Sequence, residues 1–306
     1  IYAPNRRGKV SPNTQEVYDL KGIKYNEYWG YHDGEKRNSR VKRVVEPILL
    51  LNHDWSIDDK SSLETSVGYQ FGEMGNSRLD YAGGANPSPA YYQDLPSYFL
   101  ADTDGPDYEG AYIAQENFIN NGQINWNRIY DANLTNNQAN LNAAYVLYED
   151  RVDDTQLTIN SAYNREINEN IKVTASANYR NLVSDNFAEI SDMLGGYSYS
   201  NIDSFDYLDY NLLSPNSIVS EGDKFKYHYK MNAEEMSLFS MINFSFNKLE
   251  FYVAGDITNT TYQRDGIFEN EANAGNSAGK GDEISFEGYG IKAVSYTHLR
   301  AHETSN

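Results

Sequence analysis

Residues able to do chemistry are sparse in this chain. Its five histidines are scattered. His32 and His228 fall in loop-like sequence, and His53 alternates with apolar residues in a strand pattern. Neither a Ser-His-Asp arrangement nor a metal cluster can be assembled from such positions. His298 and His302 have the i, i+4 spacing of a helical metal pair, but they lie in a terminal stretch of different character. Asp102-Thr103-Asp104-Gly105-Pro106-Asp107 offers the carboxylate spacing and glycine of a calcium loop. The twelfth position, where such a loop needs a bidentate Glu, is Ile113, and an Asx-type turn accounts for the run without a metal. No catalytic residue, metal site or cofactor is assigned, and no enzyme is expected.

Two surface sets remain. Lys36, Arg37, Arg40, Lys42 and Arg43 crowd five cations into eight residues of an acidic chain. They would suit the phosphates of lipid headgroups or lipopolysaccharide, and equally a solvated loop end. Tyr91, Tyr92, Tyr98, Tyr199, Tyr207 and Tyr210 sit in two long loops. Such rings could stack on a small ligand or pack the loops on each other.

The elements that position these sets are strands. In Thr155–Tyr163 and Ile171–Tyr179 every second residue is mostly apolar, and those between are polar. Successive strand side chains point to opposite faces, so each segment has one apolar and one polar face. A soluble sheet would pack the apolar face on a core; a membrane barrel would turn it to lipid and the polar face to a wet lumen. Each segment is about 10 residues long, which at ~3.3 Å rise and ~40° tilt gives roughly 25 Å of height, the thickness of an outer-membrane apolar band. Hairpins of the same type are predicted around Asp58-Asp59-Lys60 and around Asn247-Lys248, with a last strand near 284–293. On the barrel reading, Glu64, Gln70, Lys172, Asn178 and Arg180 face the lumen.

Between hairpins lie two long stretches, 73–150 and 181–233, rich in Asn, Gly, Tyr and acidic residues. Asn86-Pro87-Ser88-Pro89 forbids a central strand in the first, and its Asn133–Tyr148 segment, with several Ala and Leu, is expected to be a short helix. Short and long connections therefore alternate strictly. A barrel with one end facing outside requires that, and a soluble sandwich does not.

The net charge of −19 excludes a nucleic-acid partner, which needs an excess of Lys and Arg. A mean hydropathy of −0.70 and the lack of any ~20-residue apolar run exclude a transmembrane helix but not barrel strands, half of whose residues are polar. The 27 Tyr suit interfacial girdles or loop surfaces, and zero Cys excludes a disulfide framework. The first residue is Ile1 with no leader before it, so the chain is expected to be an internal piece of something longer. Residues 294–306, with Ser295-Tyr296-Thr297-His298-Leu299-Arg300-Ala301-His302, resemble a translated sequencing adapter and are read as a non-native tail.

Several motifs, in this order, carry a resemblance. They are Trp29-Gly30-Tyr31 with Lys36-Arg37-Asn38, Gly68-Tyr69-Gln70-Phe71-Gly72, Ser77-Arg78-Leu79-Asp80-Tyr81, and Asn86-Pro87-Ser88-Pro89 with Leu95-Pro96-Ser97-Tyr98. Tyr262-Gln263-Arg264-Asp265-Gly266 near Gly288-Tyr289-Gly290-Ile291-Lys292 completes the set. Over residues 1–293 the chain resembles the barrel of TonB-dependent outer-membrane receptors of the Bacteroidetes type. The resemblance implies a barrel of ~22 strands filled by a plug. About seven or eight strands would be present here as part of a large antiparallel transmembrane β-barrel, with short periplasmic turns and long extracellular loops. It also implies nutrient uptake across the outer membrane, driven by the TonB complex through a plug that this chain lacks. A passive outer-membrane channel and a surface adhesin or glycan-binding protein are the competing readings.

Overall fold

The computed structural model describes residues 4–101, 103, 105–246 and 249–297. Within them the chain begins with β1 (Asn5–Gly8), helix α1 (Gln15–Lys21) and a separate small hairpin of β2 (Trp29–His32) and β3 (Glu35–Asn38). Next come β4 (Val41–Val45), β5 (Ile48–Asp58) and β6 (Ser61–Tyr81), then helices α2 (Pro96–Leu100), α3 (Tyr108–Asn121) and α4 (Trp126–Gln138). The second part holds β7 (Tyr145–Asn168), β8 (Ile171–Asp192), the two-residue strands β9 (Tyr199–Ser200) and β10 (Ile218–Val219), and β11 (Lys224–Phe246). It ends with β12 (Leu249–Gly266), β13 (Gly279–Lys280) and β14 (Ile284–Thr297).

Ten of these strands form one antiparallel sheet, in which β5 to β8, β11, β12 and β14 are the long members and each pairs with the next in sequence. The sheet is open, with β1 and β5 at one side and β13 and β14 at the other. Short turns lie at one end. Asp58 accepts from the Lys60 amide at 2.8 Å and Asn168 from the Asn170 amide at 2.9 Å, both Asx-type closures. The third turn, Asn247-Lys248, lies outside the described residues. The long connections, 82–144, 193–223 and 267–283, all lie at the other end.

The strands run well past the ten residues read from the sequence: β6, β7, β8 and β11 hold 21, 24, 22 and 23. Strands β4 and β5 keep a single register against β6 across Glu46-Pro47, where proline offers no amide to the ladder. The Pro47 carbonyl still accepts from the Phe71 amide at 3.2 Å. Gly72 at this break has φ +147°, and a Cβ there would lie 1.9 Å from the Val45 carbonyl oxygen. Only glycine fits.

In the half of the sheet near the turns, register places Leu49, Leu51 and Trp55 of β5 on one face with Leu63, Val67 and Tyr69 of β6. Leu157 and Ile159 of β7, Ala177 and Tyr179 of β8, Met236 and Leu238 of β11, Ile257 of β12 and Tyr289 of β14 continue the same face. This band is apolar and uncovered: Leu51 is 67% exposed, Leu238 55% and Ile291 85%. Aromatic rings mark its margins, with Phe244 stacked on Phe251 at 4.5 Å near the turns and Tyr69 against Phe71 at 5.5 Å on the far side. The upper margin falls at Phe71 on β6 but, in the same register rows, about six residues lower by β12. Four strand steps at ~4.8 Å and ~3.3 Å per residue make that a strand tilt of roughly 45° to the band.

The protein's cores lie in the other half. Trp126 and Ile129 of α4 pack with Leu194 on Tyr145, Leu79 and Leu147. On the opposite face Val146, Tyr148, Ala188 and Ile190 meet Tyr199 and Val219 from the long loop and Phe225 from the start of β11. A third cluster joins α1 to α3 through Val17, Tyr25, Leu95 and Phe118. The expected helix over 133–148 forms instead at Trp126–Gln138, capped by the Asn125 side chain accepting from the Arg128 amide at 3.0 Å. The apolar run Ala143–Leu147 that suggested a helix leads into β7, where Tyr145 and Val146 are buried on opposite faces.

Candidate functional site

The five lumen-facing candidates, Glu64, Gln70, Lys172, Asn178 and Arg180, fall on one face of the sheet, opposite the apolar band. That face is wired side chain to side chain. Asn160 donates to Asn178, whose amide donates to Ser237 Oγ at 3.2 Å, and Thr174 donates to Asn164 at 2.8 Å. Arg180 pairs with Glu235 at 2.9 Å and Lys172 with Glu166 at 2.5 Å. Polar ladders across three strands leave the face hydrophilic from the turns upward.

The loop tyrosines separate into two groups. Tyr91, Tyr92 and Tyr98 form an edge-to-face chain, with ring centroids 4.9 and 5.8 Å apart, beside α2. Tyr92 and Tyr98 are exposed, as a ligand-stacking role would require. Tyr199 is not: it is 2% exposed, sits against Phe225, and its hydroxyl donates to Asp80 at 3.0 Å. Burial, with the Asp80 carboxylate beside it, pushes that hydroxyl far above the usual tyrosine range. Tyr210 is half-buried and donates to Asp203 at 2.9 Å, whereas Tyr207 is 81% exposed with φ +57°.

Around Tyr199 lies a cluster that the sequence pattern did not single out. Lys226 Nζ is 2.7 Å from Asp80 and 4.7 Å from the Tyr148 ring centroid, Tyr227 donates to Asp150 at 2.9 Å, and Arg78 pairs with Asp150 at 2.6 Å. On the band's own face, just beyond Phe71, a charged belt replaces the apolar residues. Arg151, 8% exposed, bonds Glu73 and Asp153 and lies 3.6 Å from Glu189, while Arg43 bonds Glu73 and Glu149. Burial raises the Asp153 carboxyl above its usual range, and Arg151 opposes the rise. Next to them Asp185 accepts from Lys224 at 3.2 Å and lies 2.8 Å from His228. Burial, together with the Lys224 ammonium, holds the imidazole below its ordinary value.

The basic run Lys36 to Arg43 is largely engaged within the protein. Arg37 pairs with Asp192 at 2.5 Å and lies over Trp126, Lys36 sits over Trp29, and Arg40 over Tyr28. In the candidate calcium loop, Asp102 and Asp104 lie outside the described residues, and Asp107 caps α3 by accepting from the Gly110 amide at 2.8 Å. Among the described residues no group of three or more His, Asp and Glu is arranged to hold a metal ion. His298 and His302 lie outside the described residues, whereas β14 continues through Val294 to Thr297, paired with β12.

No side chain could have flagged Asn133 in advance, yet it is fully buried at the centre of the α4 packing. Its amide nitrogen lies 2.8 to 3.0 Å from the carbonyls of Tyr145, Met193 and Leu194, and its oxygen accepts from the Ala144 and Tyr145 amides. No family model matches the chain, and no curated protein matches it.

Proposed function

We propose that this chain is a section of a transmembrane β-barrel of the outer membrane, belonging to a TonB-dependent receptor that takes up a scarce nutrient. The observation that carries the membrane part is the tilted apolar band. About ten residues tall, bounded by aromatic rings and crossed by strands inclined at roughly 45°, it has the dimensions and strand inclination of a barrel's lipid belt. A water-soluble sheet would cover such a face, because exposed apolar area costs ~25 cal/mol per Å². The hydrogen-bonded opposite face then lines a wet lumen, and the loop halves form the extracellular end.

The transport part rests on the motif resemblance. On this reading substrate is captured by the loops and a plug, and the TonB complex pulls the plug to open a path; nucleic acid has no role. Fractionation tests the membrane part. The chain is expected in the outer-membrane fraction, resistant to a urea wash, and recovery in the aqueous phase after detergent-free lysis would refute it. Uptake by cells carrying the complete receptor should stop when the proton-motive force is collapsed; persistence would favour a passive channel.

A further inference from the structure

One pocket of about 580 Å³ opens between β1, β3 and the upper part of the sheet, lined by Arg6, Arg7, Lys36 and Arg37 together with Glu149 and Asp192. Both acids are already matched within the protein, Asp192 by Arg37 and Glu149 by Arg43. Arg6, Arg7 and Lys36 are exposed and have no ion pair among the described residues. Three cations without an acidic partner, Lys36 with its ammonium over Trp29, line one cavity in a chain of net charge −19 and make a local anion site. Its height is also defined. Arg6 pairs with Arg43, whose row on β6 is Gly75, four positions beyond Phe71. The band margin climbs by about one and a half residues per strand toward that side, so on β1 the row of Arg6 lies at its edge.

We propose that this pocket seats the phosphate of an anionic membrane-lipid headgroup, its acyl chains lying on the apolar band below. The proposal rests on the membrane reading above. Two of the five cations prominent in the sequence, Lys36 and Arg37, belong to the site, and Arg6 and Arg7 join them from a strand 29 or more residues earlier. Arg40, Lys42 and Arg43 do not line the pocket, and Arg43 is bonded to Glu73 and Glu149.

The test uses the full chain extracted in mild detergent and offered phosphatidic acid or phosphatidylcholine, with bound lipid counted by native mass spectrometry. Phosphatidic acid should be retained in preference, and the R6Q/R7Q/K36Q variant should lose that retention by at least about tenfold. The K60Q/K280Q variant, which removes two exposed cations elsewhere, should stay within about twofold of the parent. A charge-conserving R6K/R7K/K36R variant should keep most of the binding, which separates loss of charge from loss of fold. Equal losses in the two Gln variants, or displacement of the lipid by inorganic phosphate at millimolar concentration, would overturn the proposal. So would membrane-fraction recovery of a chain that shows no preference for phosphatidic acid, with the barrel reading left standing. Recovery of the chain in the aqueous phase would overturn both.

Discussion

The turn half and the loop half of the sheet share strands, register and faces, yet they place side chains by opposite rules. On β7 the positions of one face read Tyr163, Ile159 and Leu157 in the uncovered band, then Asp153 and Arg151 in an ion network, then Leu147 and Tyr145 beneath α4. Below the belt the apolar residues are outermost and the polar ones are bonded to each other. Above it, the apolar residues of both faces are buried under helices and loops. Burial of apolar area is the main drive to fold in water, and only the loop half follows it. On the proposed membrane reading, the charged belt marks where the surroundings change.

That contrast can be broken or sharpened by substitution, starting with the largest effect. Asn133→Ala removes partners from three carbonyls and two amides in a buried core, each worth ~1 to 3 kcal/mol when left unmet, so at least about 5 kcal/mol should be lost. Protease resistance of the loop half should fall while turn-half strand signal persists in detergent. Next, Ile159→Arg should cost ~2 to 4 kcal/mol in lipid refolding titrations, and Thr174→Arg, on the opposite face, little. A larger penalty for Thr174→Arg would mean that the two faces are exchanged, and equal penalties that no lipid is involved. Arg151→Met should cost about 1 to 3 kcal/mol, because Glu73 and Asp153 lose a shared partner that is itself nearly buried. Urea unfolding monitored at the loop half would measure it.

The smallest effect expected is on pH dependence. The His228 imidazole titrates below its ordinary value of 6.5 in the folded protein, so the unfolded chain takes up its proton first. Stability of the loop half should therefore be complete above that value and decline as pH falls through the folded one. His228→Gln should flatten the decline, and turn-half unfolding should show none.

The hairpins were legible because the band imposes a strict two-residue period and the turns carry Asx closures. The upper strands were not. Glu149-Asp150-Arg151-Val152-Asp153-Asp154 reads as a loop, since charge appears at both parities. Its strand is held by cross-strand ion pairs on one face and by Tyr227 and Arg78 on the other, which alternation cannot reveal. The helix was placed too late in the chain for a related reason. Ala143 to Leu147 is apolar because two faces of a strand are buried, and α4 is polar enough, with Asn127, Asn136 and Asn137, to look like loop. Among the candidate site residues, the shared face of Glu64, Gln70, Lys172, Asn178 and Arg180 followed from parity alone, while Arg6 and Arg7 had no local signal. Only strand pairing brings them beside Lys36.

The simple meander also bears on the order of assembly. Neighbouring long strands are joined by contacts that close early along the chain at each tight turn, whereas the loop half is tied by contacts of long sequence separation. Arg37 reaches Asp192 across 155 positions, Lys226 reaches Asp80 across 146, and Tyr199 reaches Asp80 across 119. Long loops close slowly, so hairpins should zip first and the loop half should dock last. Two tryptophans report on the two events: Trp55 at the band margin and Trp126 in the α4 core. In refolding of single-tryptophan variants, the Trp55 signal should settle before that of Trp126, and the reverse order would show that the distant contacts template the sheet.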